Sequence, residues 1–151
     1  MRIFLLFFLF IFYNTHSQSR VGEWDIHLNY TEGTCLFATQ NTIYTGTKSQ
    51  FFTYNQSDNS IKPFSKLNGL NDNNVTAINS DPDSNILIIG YENGNIDLMS
   101  GTQIINIPYI KNANNIIGSK KVNNIHINQG LAYLSCSFGL VTINISNAEI
   151  L

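Results

Sequence analysis

Two stretches of this 151-residue chain hold residue types at spacings that could bind an ion or a phosphate. Asp81-Pro82-Asp83-Ser84-Asn85 opens like a calcium loop, and Glu92 falls at its twelfth position. Ile86, however, stands where such a loop needs glycine for its sharp turn. Residues 86–91 also read as a buried strand, which cannot wrap an ion. The segment therefore reads as a polar turn, with Pro and Asp in their ordinary turn roles. Gly118-Ser119-Lys120-Lys121 is similar to the end of a phosphate loop. It lacks a glycine five residues earlier and no helix pattern follows, so it reads as a loop leading into a strand. His27 and His126 lie about 100 residues apart with no Cys or carboxylate at ligand spacing, which supports no zinc site. There is no Gly-x-Ser-x-Gly elbow. Catalytic carboxylate pairs need no local motif, but alternation along its strand puts Asp97 on the solvent face. These residues nominate no catalytic, metal or cofactor site, and the chain reads as a non-enzyme.

The elements around these residues repeat. Thr42-Ile43-Tyr44-Thr45-Gly46-Thr47 is followed by Phe51-Phe52-Thr53-Tyr54. Ile86 to Tyr91 is followed by Asn95 to Leu98, and Leu131 to Cys136 by Leu140 to Ile143, at offsets of 44 and 45 residues. Each block is an apolar strand, a small residue, a turn and an alternating strand. Asn93-Gly94 between two such runs is a strong hairpin signal because both residues tolerate positive φ. The first copy departs from this, with Gln50 where the others carry Gly94 and Gly139. A weaker strand precedes each block (Thr34–Phe37, Val75–Ile78, Val122–Ile125), and Ile61–Phe64 and Ile104–Ile107 follow the first two. Four short strands at this period predict β-propeller blades. The spacing leaves no room for crossover helices, which disfavours an α/β fold. The expectation is an all-β partial propeller of about three four-stranded blades, the start of a seven-bladed ring. Three blades alone would leave open edges, so residues 18–151 read as the N-terminal part of a domain that continues further.

Residues 1–17 read as a secretory signal peptide: Arg2, an eleven-residue apolar run from Ile3 to Tyr13, then Thr15-His16-Ser17 before Gln18. The run is too short to span a bilayer. Removing it leaves seven basic and ten acidic residues, a formal charge of −3. That sign and size disfavour general nucleic-acid binding. Ten Phe, seven Tyr and one Trp are enough to build a core. Cys35 and Cys136, in different repeats, read as two buried free thiols. Asn29, Asn55, Asn74 and Asn144 head Asn-x-Ser/Thr triplets, which an Asn-rich chain produces by chance.

Leu67-Asn68-Gly69-Leu70-Asn71-Asp72-Asn73-Asn74-Val75-Thr76-Ala77-Ile78 resembles the phrase that opens blades of two-component-regulator propellers, and Ile89-Gly90-Tyr91-Glu92-Asn93-Gly94 their hairpin. Trp24 to Leu28, Tyr91 to Leu98, and Ile117 to Lys120 leading to Val122-Asn123-Asn124-Ile125 are similar to the N-terminal propeller of the PorZ-like proteins of the type IX secretion system. The resemblance implies an exported protein at the outer-membrane surface of a Gram-negative bacterium. It implies a non-catalytic component that supports cargo signal removal and attachment, with the sortase-like PorU complex and anionic lipopolysaccharide as partners. The alternative is the ligand-sensing periplasmic propeller of a hybrid two-component histidine kinase. A propeller glycan hydrolase or lyase is disfavoured because the inner strand Val75–Ile78 has no acid or His. Lys62, Lys66, Lys111, Lys120 and Lys121 are the cations available to an anionic sugar, but in a net-acidic chain they read as solvated loop residues.

Overall fold

The structure, a computed structural model, describes residues 32–151. The expected signal peptide at 1–17, residues 24–28, His27 and Asn29 lie outside the described residues. Three four-stranded antiparallel meanders follow one another along the chain. The first blade is β1 (Gly33–Ala38), β2 (Thr42–Thr47), β3 (Phe51–Asn55) and β4 (Ile61–Phe64). The second is β5 (Val75–Ser80), β6 (Leu87–Tyr91), β7 (Ile96–Ser100) and β8 (Gln103–Ile107). The third is β9 (Val122–Asn128), β10 (Leu131–Cys136), β11 (Gly139–Asn144) and the two-residue β12 (Glu149–Ile150). A 3₁₀ turn, Lys66–Asn68, capped by the Ser65 hydroxyl, links the first two blades. A single helical turn, α1 (Tyr109–Asn112), lies in the link to the third. Each expected strand is present, and the architecture is all-β.

Period-two alternation decides which side chains meet. The second blade lies between the other two and is apolar on both faces. One face presents Val75, Ile78, Leu87, Ile89, Tyr91 and Met99 to Phe51, Phe64 and Leu70 of the first blade and its link. The rings of Tyr44, Phe51 and Phe64 form a row there, with centroids 6.1 and 5.1 Å apart. The other face presents Ala77, Ile88, Ile96, Leu98 and Ile107 to Val122, Ile125, Leu134, Cys136 and Ile143 of the third blade. Each fully buried Ile or Phe contributes about 1.5–3 kcal/mol, against about 1 kcal/mol for a typical hydrogen bond. Apolar burial therefore holds the blades together, and the polar contacts fix how they meet.

Two seats repeat at these seams. A Cβ on Gly46 would come within 2.8 Å of Val75 Cγ1, and one on Gly90 within 2.6 Å of Val122 Cγ1. The first residue of each following inner strand thus fills the space that glycine leaves. Beside each seat a bulge turns one threonine across the seam. Thr34 Oγ1 donates to the Val75 carbonyl, and Thr76 Oγ1 to the Val122 carbonyl at 2.6 Å. Asn79 Nδ2 adds a bond to the Ile125 carbonyl at 2.8 Å.

The expectation for Asp97 is overturned. It is fully buried. Alternation assumes one wet face, and the second blade has none. Its carboxylate accepts from the Asn71 backbone N–H (3.0 Å), Asn71 Nδ2 (2.9 Å), Asn106 Nδ2 (2.8 Å) and Tyr91 Oη (2.6 Å). A buried charge persists only when its acceptors are satisfied, and four donors do this here. Asp97 thereby fastens the link that enters β5 to β6, β7 and β8. Burial first, and the Asp97 charge second, push the Tyr91 phenol above its ordinary range.

Candidate functional site

In a meander the second strand returns to the end where the first began. The starts of β1, β5 and β9 and the β2–β3, β6–β7 and β10–β11 turns therefore share one end of the blades. At that end a cleft of about 200 Å³ opens between the first and second blades, lined by Thr34, Lys48, Asn74, Thr76, Glu92 and Lys121. A shallower one of about 380 Å³ adjoins it, lined by Asp72, Asn73, Asn74, Glu92 and Asn93.

Backbone bonds hold the loops that build this end. The Asn74 N–H donates to the Lys48 carbonyl (2.8 Å) and the Glu92 N–H to the Asn74 carbonyl (3.0 Å). The third blade repeats the second contact, from the Ser137 N–H to the Lys121 carbonyl (2.9 Å). Gly94 adopts φ 83° in the β6–β7 turn, and a Cβ there would meet Ile110 Cγ2 and the Lys120 carbonyl inside 3.0 Å. Only glycine combines that conformation with that approach.

Most of the charged groups here have polar partners. Asp72 accepts from Lys111 Nζ and Asn93 Nδ2, each at 2.6 Å. Burial acts to raise its pKa, but Lys111, Asn93 and the Asn73 N–H together hold the carboxyl below its ordinary range. Glu92 accepts from Asn74 Nδ2 at 2.8 Å. Lys48 pairs with Glu32 at 2.8 Å, and that carboxylate holds its pKa above the ordinary value. Lys120 Nζ donates to the carbonyls of Lys111 (2.8 Å) and Ala113 (2.7 Å), pinning the link around α1. Lys121 lines the smaller cleft. Of the five lysines read from the sequence, Lys111, Lys120 and Lys121 gather at this end. Lys62 instead lies over the Phe64 ring (5.1 Å), and Lys66 is exposed in the 3₁₀ turn. The surface offers hydroxyl, amide, carboxylate and ammonium groups fixed on turns, which suits recognition of a polar partner.

Other motifs resolve as turns. Asp81 accepts from the Ser84 N–H at 3.2 Å and from its hydroxyl, which closes the β5–β6 turn. Residues 118–121 form the approach to β9. Cys35 is half-buried and Cys136 buried, both free, in different sheets. Sequence reasoning nominated none of Lys48, Asn74 and Glu92. The repeat itself marks them: Lys48 and Glu92 are one period apart, and Asn74 and Lys121 each directly precede an inner-strand valine.

The profile of the type IX secretion system PorZ N-terminal β-propeller domain matches residues 43–151. The chain belongs to that family. Among solved structures it is similar to PorZ, an essential bacterial surface component of the type IX secretion system of Porphyromonas gingivalis. Identity is 25% and the TM-score 0.73, over 79% of this chain and 16% of PorZ. The extracellular domain of the hybrid two component system BT4673 from B. thetaiotaomicron matches at 18% identity and TM-score 0.67, over 79% of this chain and 16% of that one. The WD40 repeats of RRP9 match at 14% and 0.60, over 80% and 37%. The last two likenesses show the fold alone. No curated protein matched in sequence. The chain thus spans about a sixth of the length of the PorZ structure it matches. Among the described residues no helix is long and apolar enough to cross a membrane.

Proposed function

We propose that these blades open the N-terminal propeller of an exported, surface-located component of the type IX secretion system. The proposed role is non-catalytic. The propeller serves as an interaction platform that supports removal of cargo signals and attachment of cargo to anionic lipopolysaccharide, beside a sortase-like PorU complex. The family match over residues 43–151 carries this reading. The engaged charges at the loop end support a recognition surface over a reaction centre. In this reading residues 1–17 are removed on export, and residues 18–151 form part of a longer propeller.

Deleting the gene in the native bacterium tests the proposal. Secreted cargo is then expected to keep its sorting signal and to be lost from the cell surface, with rescue by the intact gene. Unchanged cargo processing would refute it. A sensor role, as the periplasmic half of a hybrid histidine kinase, is supported only by the fold shared with BT4673. A membrane helix and kinase encoded in the same polypeptide would favour that role.

A further inference from the structure

The outer strands of the first two blades, β4 and β8, each end their sheet, with no strand paired beyond them among the described residues. Such an edge is a template for a further strand unless something blunts it. Register makes the two edges comparable residue by residue. Phe51 pairs with Gly46 and Phe64, and Ile96 with Gly90 and Ile107. Pro63 therefore corresponds to Asn106, Lys62 to Ile105 and Ile61 to Ile104.

The β4 edge is blunted. Pro63 has no N–H, its carbonyl accepts from Asn68 Nδ2 at 2.8 Å, and Lys62 places a charge beside it. The β8 edge, Gln103-Ile104-Ile105-Asn106-Ile107, has no proline and no charge. Successive residues of an edge strand turn their N–H and C=O groups alternately toward and away from the neighbouring strand. Pro63, with its carbonyl on Asn68, turns away from β3. Asn106, and Ile104 two residues before it, accordingly turn away from β7. Their outward N–H and C=O groups have no partner among the described residues. Between them Ile105 is 57% exposed. The edge is also held in place. Asn106 Nδ2 donates to Asn95 Oδ1 (3.0 Å), the Ile96 carbonyl (3.2 Å) and Asp97 Oδ1 (2.8 Å). Its backbone is thus ordered before any partner arrives, which lowers the cost of binding.

We infer that the outer edge of β8 captures an extended, uncharged segment of another polypeptide as a fifth strand of the second blade. Main-chain bonds to Ile104 and Asn106 supply the affinity, which is the mode of strand addition. The groups of these two residues recur about 6.8 Å apart, twice the rise per residue of a strand, and an extended backbone matches that spacing. A β-branched or aromatic side chain opposite Ile105 supplies the cross-strand pair. A charged one would lose water there with no counter-charge on β8 to meet it. A second copy of this chain is the weaker occupant. Five residues span about 17 Å, too narrow an edge for the roughly 800 Å² per partner of a stable dimer. The site shares no residue with the loop-end clefts and does not depend on the role proposed above.

The test is hydrogen exchange of the full-length polypeptide from its native cells, read by mass spectrometry over residues 103–107. The probe is the peptide acetyl-Thr-Val-Thr-Val-Thr-amide. Without it, the Ile104 and Asn106 amides are expected to exchange near the free rate. With it, both should slow about tenfold or more, while residues 61–64 are unchanged. Ile105→Lys copies Lys62 at an exposed position, and should weaken the peptide severalfold. The same peptide N-methylated at every amide should give no protection. Failure of the probe to slow the two amides overturns the inference, and so does equal protection by the N-methylated form. Slow exchange without the probe also overturns it. If dilution leaves that protection unchanged, the edge is already paired within the chain; if dilution removes it, a second copy occupies the edge.

Discussion

Replacing Gly90 by alanine tests the packing argument most directly. The new Cβ would stand 2.6 Å from Val122 Cγ1 and 2.8 Å from its Cβ, whereas carbon atoms pack comfortably at about 3.5–4.0 Å. The strands must part by about 1 Å, or Val122 must change rotamer. Val122 is fully buried, and a β-branched side chain has few rotamers to offer. Overpacking of this kind costs about 1–3 kcal/mol. Gly90 does not lie at positive φ, so the reduced freedom of the unfolded chain returns roughly 0.4–1 kcal/mol. The net expectation is a loss of about 1–2 kcal/mol. Val122→Ala alone removes two buried methyl groups, about 1.6 kcal/mol at 0.8 per carbon, plus a cavity term. In the double variant the Cγ1 contact is gone, but the Cβ of residue 122 still stands 2.8 Å from the new one, so only part of the Gly90→Ala loss is recovered. The coupling is then a fraction of that loss, and should still exceed the additivity error of about 0.3–0.5 kcal/mol. Urea unfolding of the polypeptide, followed by circular dichroism, measures all three. A neutral or stabilising Gly90→Ala, or strictly additive losses, would refute the seat.

The remaining predictions concern single contacts. Asp97→Ala strands the buried Tyr91 hydroxyl, while Asn106 Nδ2 keeps Asn95 Oδ1 and the Ile96 carbonyl and the exposed Asn71 can turn to water; it should cost about 1–3 kcal/mol in the same unfolding assay, with Tyr91→Phe costing about 1. The Asp72 carboxyl sits below its ordinary pKa of 3.8 in the folded chain. Its stabilising contribution is therefore present above about pH 4 and lost as pH falls through the folded value. Asp72→Asn should flatten that part of the acid dependence, measured as the stability difference between pH 5 and pH 3. Burial pushes the Cys136 thiol up to about 11. A thiol reagent at pH 8 should accordingly modify it far more slowly in the native chain than in urea.

Much of the fold was legible because the strands repeat. Thr42–Thr47, Ile61–Phe64 and Leu131–Cys136 have the bounds that their apolar runs indicate, and the Gly90 and Gly94 positions follow from hairpin chemistry. Asp97 was misread for a physical reason. Strand alternation reports which face meets water, and β6 is buried at every position because blades cover both its sides. A strand with no polar position is itself the sign that alternation has stopped reporting solvent. An acid beside such a strand, opposite Asn106 on its neighbour, then points to a buried network. The loop-end cleft was missed because Lys48, Asn74, Glu92 and Lys121 come from four separate turns. No local spacing links them; the blade period does, and only after the blades are aligned by register.

The glycine seats also act as a gauge. How closely the inner strands of two blades approach sets the wedge between them, and a ring closes only when its wedges add up to a full circle. Gly46 and Gly90 each set one such approach. A single methyl group at either one would alter not just the local packing but the curvature of the arc, and with it the number of blades that can complete the circle.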